Sequence, residues 1–361
     1  MSEQKLKFYR LKNIMKNLAH YYIIFGERSN GKTYAVIEHI IEKVWQKRTE
    51  GVIKQGAIIR RWGEDLKTRR AEEMFSGLVK NNRIKEITGG VWDTVAYKSR
   101  KWYFAKNTEE GVIVDVTPIF HGFTLNEGEH DKSISFPFID YILFDEFITR
   151  GRYLNDEFVL FQNVLSTIIR ERDTVIIFML GNTVSQYCPY FSEMGLKHIT
   201  EMEKGDIDVY KHNGGTIIAV EYADGLSKRG KPSDVYFTFD NPQLNMITKG
   251  DWEFGVYPHC PVKYNSSNIV FTFFIQFDTY TYEGNVIMFD KYNFLFIHNK
   301  TTEIKYDDAL IFTLDANPSI YIKSNFGNDK ISQKLRYYFN ENKVFYQDNE
   351  VGEAITQFLQ N

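Results

Sequence analysis

Gly26-Glu-Arg-Ser-Asn-Gly-Lys-Thr33 is the stretch on which the reading of this 361-residue chain turns. It fits G-x-x-x-x-G-K-[ST] at each fixed position. The run before it, His20-Tyr-Tyr-Ile-Ile-Phe25, is short and β-type. After it, Thr33 to Trp45 places apolar residues at 36, 37, 40, 41, 44 and 45, the spacing of a helix. In a strand–loop–helix setting, backbone N–H groups of such a loop wrap a triphosphate and the helix turns its positive end toward the charge. The sequence therefore predicts that Gly26, Glu27, Arg28, Ser29, Asn30, Gly31, Lys32 and Thr33 bind ATP. Lys32 reaches the β- and γ-phosphates and the Thr33 hydroxyl ligates Mg²⁺.

Further along, Tyr141-Ile-Leu-Phe-Asp-Glu146 is an apolar run ending in two acids. With a phosphate loop upstream it reads as a second nucleotide motif. Asp145 holds the Mg²⁺, and Glu146 polarises the attacking water as a general base must. The adjacent glutamate places the chain with additional-strand ATPases rather than with small kinases or GTPases. Next come Ile169-Arg-Glu-Arg172 and the continuous apolar run Val175–Leu180, which leads to Asn182. Asn182 stands where a polar strand tip can sense the γ-phosphate. Arg170 can enter a neighbouring subunit's site and stabilise transition-state charge. The plainer reading of Arg170 and Arg172 is that they cap a helix C-terminus, where cations are favoured.

Composition frames these motifs. Hydrophobic residues make up 43% and charged residues 25%, which excludes a mainly disordered, collagen-like or coiled-coil chain. Cys188 and Cys260 are too few for a disulfide framework and fit a reducing compartment. No run reaches the ~18 apolar residues of a membrane span, so no membrane role is expected. Met1 to Lys16 lacks the apolar core of a secretory signal.

Strands alternate with helical patterns through the first 200 residues, which predicts an α/β domain with a mostly parallel sheet. Trp92 to Phe104 reads as a hairpin turning at Lys98–Lys101, and Tyr210 to Tyr222 as another around Asn213-Gly-Gly215. Ser227–Ser233 is the best linker candidate. Four strand-like runs follow between 269 and 314, then helical patterns over Lys330–Asn340 and Asn349–Leu359. The expected division is a nucleotide-binding domain over 1–200, a linker module over 201–240 and a β-rich domain over 241–361.

Charge is uneven. Residues 1–200 hold 29 lysines and arginines against 25 acids, a net of +4; the remainder holds 15 against 22, a net of −7. Arg69, Arg70, Lys98, Arg100, Lys101 and Lys132 are candidates to grip a nucleic-acid backbone, since such a contact needs Lys and Arg on loops and no sequence reading. A merely solvated face is the alternative. Arg60 or Arg61, at the end of another short strand, could instead reach the nucleotide.

Taken together, Gly26–Thr33, Ile59-Arg-Arg61, Phe144-Asp-Glu-Phe147, Arg170-Glu-Arg172 and Asn182-Thr-Val-Ser185 with Pro189-Tyr-Phe191 resemble the genome-packaging ATPases of small short-tailed phages with protein-primed replication. Phe345-Tyr-Gln-Asp-Asn-Glu-Val351, leading into Ile355 and Phe358-Leu359, is similar to that family's tail. The likeness is patchy between 205 and 330. It implies an additional-strand ATPase domain, a linker module and a ribonuclease H-like, nuclease-like domain. It also implies a ring, usually of five subunits, docked on the portal of a procapsid in the host cytoplasm and translocating double-stranded DNA. On this likeness Lys32 and Thr33 bind nucleotide, Asp145 binds Mg²⁺, Glu146 is catalytic and Arg170 is a finger acting in trans. Phe8 and Tyr9 match an aromatic pair near the adenine. Some members use a packaging RNA, and the sequence leaves that partner open.

A two-metal nuclease needs about three carboxylates on strand ends. Asp278, Asp290, Asp307, Asp308 and Asp315 are available, but each also sits where a turn favours Asp. The resemblance is to members lacking the metal cluster, so no nuclease activity is expected. Two other readings remain: an ATP-dependent helicase or related nucleic-acid remodelling ATPase, and a nucleotide-regulated structural ring.

Overall fold

The computed structural model describes residues 8–28, 30–127, 134–149, 153–154, 156–183, 188–223, 257–260, 262–277, 280–289, 292–305, 309–314, 322–324, 327 and 329–360. The chain divides into two compact units.

The first unit is built on a nine-stranded sheet of β1 (Tyr21–Gly26), β2 (Gln55–Arg60), β3 (Thr94–Lys98), β4 (Lys101–Thr108), β5 (Gly111–Thr124), β6 (Ile139–Asp145), β7 (Ile176–Asn182), β8 (Ile207–Lys211) and β9 (Ile217–Ala223), in the order β3-β4-β5-β2-β6-β7-β1-β9-β8. The run from β5 to β9 is parallel. The apolar stretches seen in the sequence are its centre: Ile23, Ile24, Phe25, Ile142, Leu143, Phe144, Phe178 and Met179 are fully buried, as a sheet covered on both faces requires. Helix α1 (Lys32–Thr49) follows β1 and turns Val36, Ile37, Ile40, Ile41 and Val44 into the core. Short helices α2 (Thr68–Glu73), α3 (Ser76–Lys80) and α4 (Arg83–Ile87) follow β2, and α5 (Glu157–Ile169) lies between β6 and β7.

Two strands, β6 and β7, separate β1 from β2. The β3–β4 hairpin turns through Ser99 and Arg100, both at positive φ, as a two-residue turn compatible with the sheet's twist demands.

The first sheet runs past the boundary expected at residue 200. Residues 207–223, assigned by sequence to a linker module, form the β8–β9 hairpin, and β9 pairs in parallel with β1 in the register Ile24↔Glu221. The physical reason lies in β9 itself: Ile218 to Ala223 are all buried, so the strand covers the edge that β1 would otherwise leave open. Ser227–Ser233 lies outside the described residues.

The second unit carries a six-stranded sheet in the order β14-β13-β10-β11-β12-β15. Its strands are β10 (Ile269–Phe277), β11 (Tyr280–Phe289), β12 (Tyr292–Asn299), β13 (Ile311–Thr313), β14 (Ile322–Ser324) and β15 (Val344–Tyr346). The first three are an antiparallel meander; β13 joins β10, β14 joins β13 and β15 joins β12 in parallel. Among the described residues, the helices besides the one-turn α6 (Pro189–Glu193) are α7 (Lys330–Asn340) and α8 (Asn349–Gln360). Asp329 caps α7 by accepting from the Ile331 and Ser332 amides at 3.1 Å. Leu335, Val351, Ile355 and Phe358 close the core over Phe273, Ile275, Leu295 and Ile297. Elsewhere in this sheet the buried Glu283 carboxylate is satisfied by the Thr301 and Thr302 amides, both at 3.1 Å.

Candidate nucleotide site

Parallel alignment brings the carboxyl ends of β1, β6 and β7 to one edge of the sheet: Gly26 lies opposite Asn182, and Asp145 opposite Leu180. The edge is where α/β sheets bind ligands. Gly26 has φ +149°, and a Cβ there would lie 2.8 Å from the Ala223 carbonyl oxygen. Gly31 has φ +93° and is the N-cap residue just before α1. Both positions therefore call for glycine, for a close approach and a left-handed turn.

Within the loop Lys32 is buried. Its Nζ donates to the carbonyl oxygens of Gly26 (3.3 Å) and Glu27 (2.7 Å), to Asn30 Oδ1 (3.2 Å) and to Asn182 Oδ1 (3.3 Å). Burial pushes the Lys32 ammonium down to about 8, against the opposing pull of Asp145 and Glu27. The Thr33 hydroxyl donates to Asp145 Oδ1 at 3.2 Å. Burial pushes the Asp145 carboxyl up, and Arg60 opposes that shift. Arg60 Nη1 donates to Asp145 Oδ2 and Nη2 to Glu146 Oε2, both at 2.9 Å. Glu146 is the first residue beyond β6, at φ +61°, with its side chain 61% exposed.

These groups fit a nucleotide with its cation. Thr33 and Asp145 supply the hydroxyl and carboxylate that a hard divalent ion takes. The Lys32 ammonium rests on loop carbonyls that phosphate oxygens can replace. Asn30 Nδ2 is buried with no hydrogen-bond partner. Its amide cannot be turned over to cure this, because Oδ1 accepts from both Lys32 Nζ and the Lys32 amide. A buried donor without an acceptor is costly, and an anion in the loop supplies one.

The neighbouring Arg61 does different work. It is buried and forks onto Glu157 (Nε–Oε2 2.7 Å, Nη2–Oε1 2.9 Å), while its other donations hold the Glu146 carbonyl (3.2 Å) and the Phe147 carbonyl (2.8 Å). Of the two arginines that sequence left open, Arg60 meets the acidic pair and Arg61 fixes the turn carrying Glu146. The Arg-Arg pair after an apolar strand was visible in sequence; its division of labour was not, because alternate residues leave a strand end in opposite directions.

Arg170 is exposed at the end of α5, at φ +52°, and donates from Nη2 to the Ile134 carbonyl at 3.0 Å. Arg172 takes the capping role in full: it donates to the carbonyls of Phe136, Pro137, Ile139 and Ile168 and reaches Asp140 Oδ1. Of Phe8 and Tyr9, Phe8 is exposed, and the Tyr9 hydroxyl donates to Glu221 Oε2 at 2.5 Å. The Tyr9–Glu221 pair carried no sequence signal.

The basic candidates separate similarly. Arg69 pairs with Glu73 at 3.2 Å, Arg70 with Asp65 at 2.9 Å, and Arg100 with Glu127. Lys98 and Lys101 are exposed at the β3–β4 turn. Arg28 is exposed, while Ser29 and Lys132 lie outside the described residues. So do Asp278, Asp290, Asp307, Asp308 and Asp315. Among the described residues no group of three or more His, Cys, Asp or Glu side chains could hold a metal.

The fold and site define a mixed α/β protein with a large, mostly parallel sheet and a charged, ligand-ready site at its carboxyl edge. The chain belongs to the podovirus DNA encapsidation protein (Gp16) family, whose model matches residues 3–357. The family expected from the motifs is thus the family found, and its function is DNA encapsidation. The chain is similar to a solved structure described as the Phi-28 gp11 DNA packaging motor, at 16% identity over 98% of this chain and 97% of that one, with TM-score 0.55. It is also similar to the bacteriophage Phi-29 viral genome packaging motor assembly, at 18% identity over 98% of each chain, with TM-score 0.56. At these identities the likeness is one of fold. No curated protein matches.

Proposed function

We propose that this chain is the ATP-driven motor that moves double-stranded viral DNA into a procapsid, working as a homo-oligomeric ring at the portal vertex in the host cytoplasm. The observation that carries the reading is the convergence of Lys32, Thr33, Asp145, Glu146 and Asn182 on one sheet edge. ATP is the nucleotide and Mg²⁺ the cofactor. Thr33 and Asp145 would hold the cation, which would supply neutralisation of charge on the β- and γ-phosphates. Lys32 leaves its parked position on the loop carbonyls to meet those phosphates. Glu146 orients and deprotonates the attacking water, for which it must give up Arg60. Asn182, in contact with Lys32 at 3.3 Å, reports on the γ-phosphate.

A ring, five-membered on the family likeness, gives the exposed Arg170 its role as a finger in the adjacent subunit's site. Lys98, Lys101 and Lys132 are the cations proposed to touch DNA phosphates; Arg69, Arg70 and Arg100 join them only by leaving their local acids. The second unit is read as a nuclease-like domain of ribonuclease H type without nuclease activity: its three antiparallel strands flanked by parallel β13 and β14 support that architecture.

A helicase is the competing enzyme, and a nucleotide-regulated ring the competing structural protein. Glu146 speaks against the latter, since a pure switch needs no water-polarising carboxylate. Stimulation of ATP hydrolysis by double-stranded and single-stranded DNA separates the rest. Stronger stimulation by duplex, weakening steeply with salt and indifferent to sequence, is expected. Preferential stimulation by single strands points to the helicase instead.

A further inference from the structure

Residues 8 and 9 lie against the phosphate loop. The Tyr9 amide donates to the Asn30 carbonyl at 3.0 Å, and the Phe8 ring lies so close to Gly31 that a Cβ on that glycine would be 3.4 Å from Phe8 Cδ1. The Tyr9 hydroxyl donates to Glu221 Oε2 on β9, a carboxylate buried in the sheet. Burial raises both groups above their usual range, so the phenol stays a donor. Nothing in the proposed chemistry uses this pair.

Its geometry has a consequence for the loop. A peptide unit is planar and trans, so its C=O and N–H point in opposite directions. The Tyr9 amide takes the Asn30 carbonyl, and the Gly31 amide of the same peptide unit is thereby turned the other way.

We propose that Tyr9 and Glu221 are positioning residues that latch the Asn30–Gly31 peptide in the phosphate-binding orientation, anchoring it to β9. The inference rests on the nucleotide-binding reading of the loop. It assigns the latch to binding and leaves the chemical step alone.

The test is equilibrium binding of a fluorescent, non-hydrolysable ATP analogue to the full chain, alongside steady-state hydrolysis and thermal unfolding. Tyr9→Phe, which removes one oxygen, should weaken binding about tenfold, the order expected for a lost hydrogen bond to a charged group. It should raise KM in parallel and leave kcat within twofold. Glu221→Gln keeps an acceptor in place and should bind nearly as the parent, whereas Glu221→Ala should behave as Tyr9→Phe. Parental affinity in Tyr9→Phe, or a fall in kcat with affinity intact, overturns the latch. So does failure of both Tyr9→Phe and Glu221→Ala to fold, which makes the pair a support of the whole first unit. Absence of nucleotide binding by the parent protein overturns the functional reading itself, and is thereby distinct.

Discussion

Lys32 sits among four oxygens, three of them from its own loop, and this arrangement sets testable limits on how it meets a nucleotide. Lys32→Ala should nearly abolish binding, and Glu146→Gln should bind as the parent yet fail to turn over, because the lysine acts on phosphate and the glutamate only on water. Hydrolysis at the parental rate by Glu146→Gln would remove Glu146 from its role. The pH dependence has a definite sign. Burial holds Lys32 near 8, below its ordinary 10.5, and a phosphate beside it restores the charge. Binding therefore takes up a proton above pH 8, and affinity should fall as pH rises, by up to about tenfold per unit. A binding isotherm unchanged between pH 7 and 9 contradicts this account of Lys32. At this scale the motifs singled out Lys32, Thr33, Asp145 and Glu146, the last two on the strength of the phosphate loop upstream, and the fold brings them to one sheet edge with Asn182, the last residue of β7. Tyr9 and Glu221, 212 positions apart, were not legible as a pair, because nothing local specifies a contact made across a strand pairing.

At the scale of elements, the Arg61–Glu157 pair ties the end of β2 to the start of α5 and holds the turn carrying Glu146. Both side chains are buried, so removing the arginine takes the forked cation from the Glu157 carboxylate. Arg61→Ala should cost roughly 3–5 kcal/mol in chemical denaturation of the first unit, and Arg61→Lys should rescue little, since an ammonium cannot fork onto a carboxylate. Arg170→Ala, at an exposed helix end, should cost less than about 1 kcal/mol. Equal costs for the two would mean that Arg61 is not the structural anchor described. Strands β1, β6 and β7 were legible because each is a continuous apolar run bounded by polar residues. The β8–β9 hairpin was legible from its Asn-Gly-Gly turn, but its sheet was not, since turn chemistry fixes local pairing and says nothing of which distant edge accepts the strand.

At the scale of the whole molecule, the central issue is whether subunits act on one another. Arg170→Ala and Glu146→Gln should each be inactive alone. Mixed, they should recover part of the ATPase activity, because some interfaces then pair an intact Arg170 with an intact Glu146. A chain with both changes, mixed with Lys32→Ala, controls for trace parental protein. Normal hydrolysis by Arg170→Ala at all concentrations would end the finger assignment, and Arg172 could not replace it, its guanidinium being committed to the carbonyls beside α5. The packaging family itself was legible from the order of short motifs along the chain. The second unit was less legible, because its candidate carboxylates sit at turns where Asp is favoured for local reasons.

The most direct measurement is DNA packaging: purified procapsids, duplex DNA and this protein with ATP, followed by nuclease digestion and recovery of protected DNA. Protection is expected to require ATP hydrolysis, to be lost with Glu146→Gln and not to be restored by a non-hydrolysable analogue. Protected DNA at the parental level with Glu146→Gln, or no protection under conditions where the protein hydrolyses ATP on duplex DNA and binds procapsids, would contradict the motor reading.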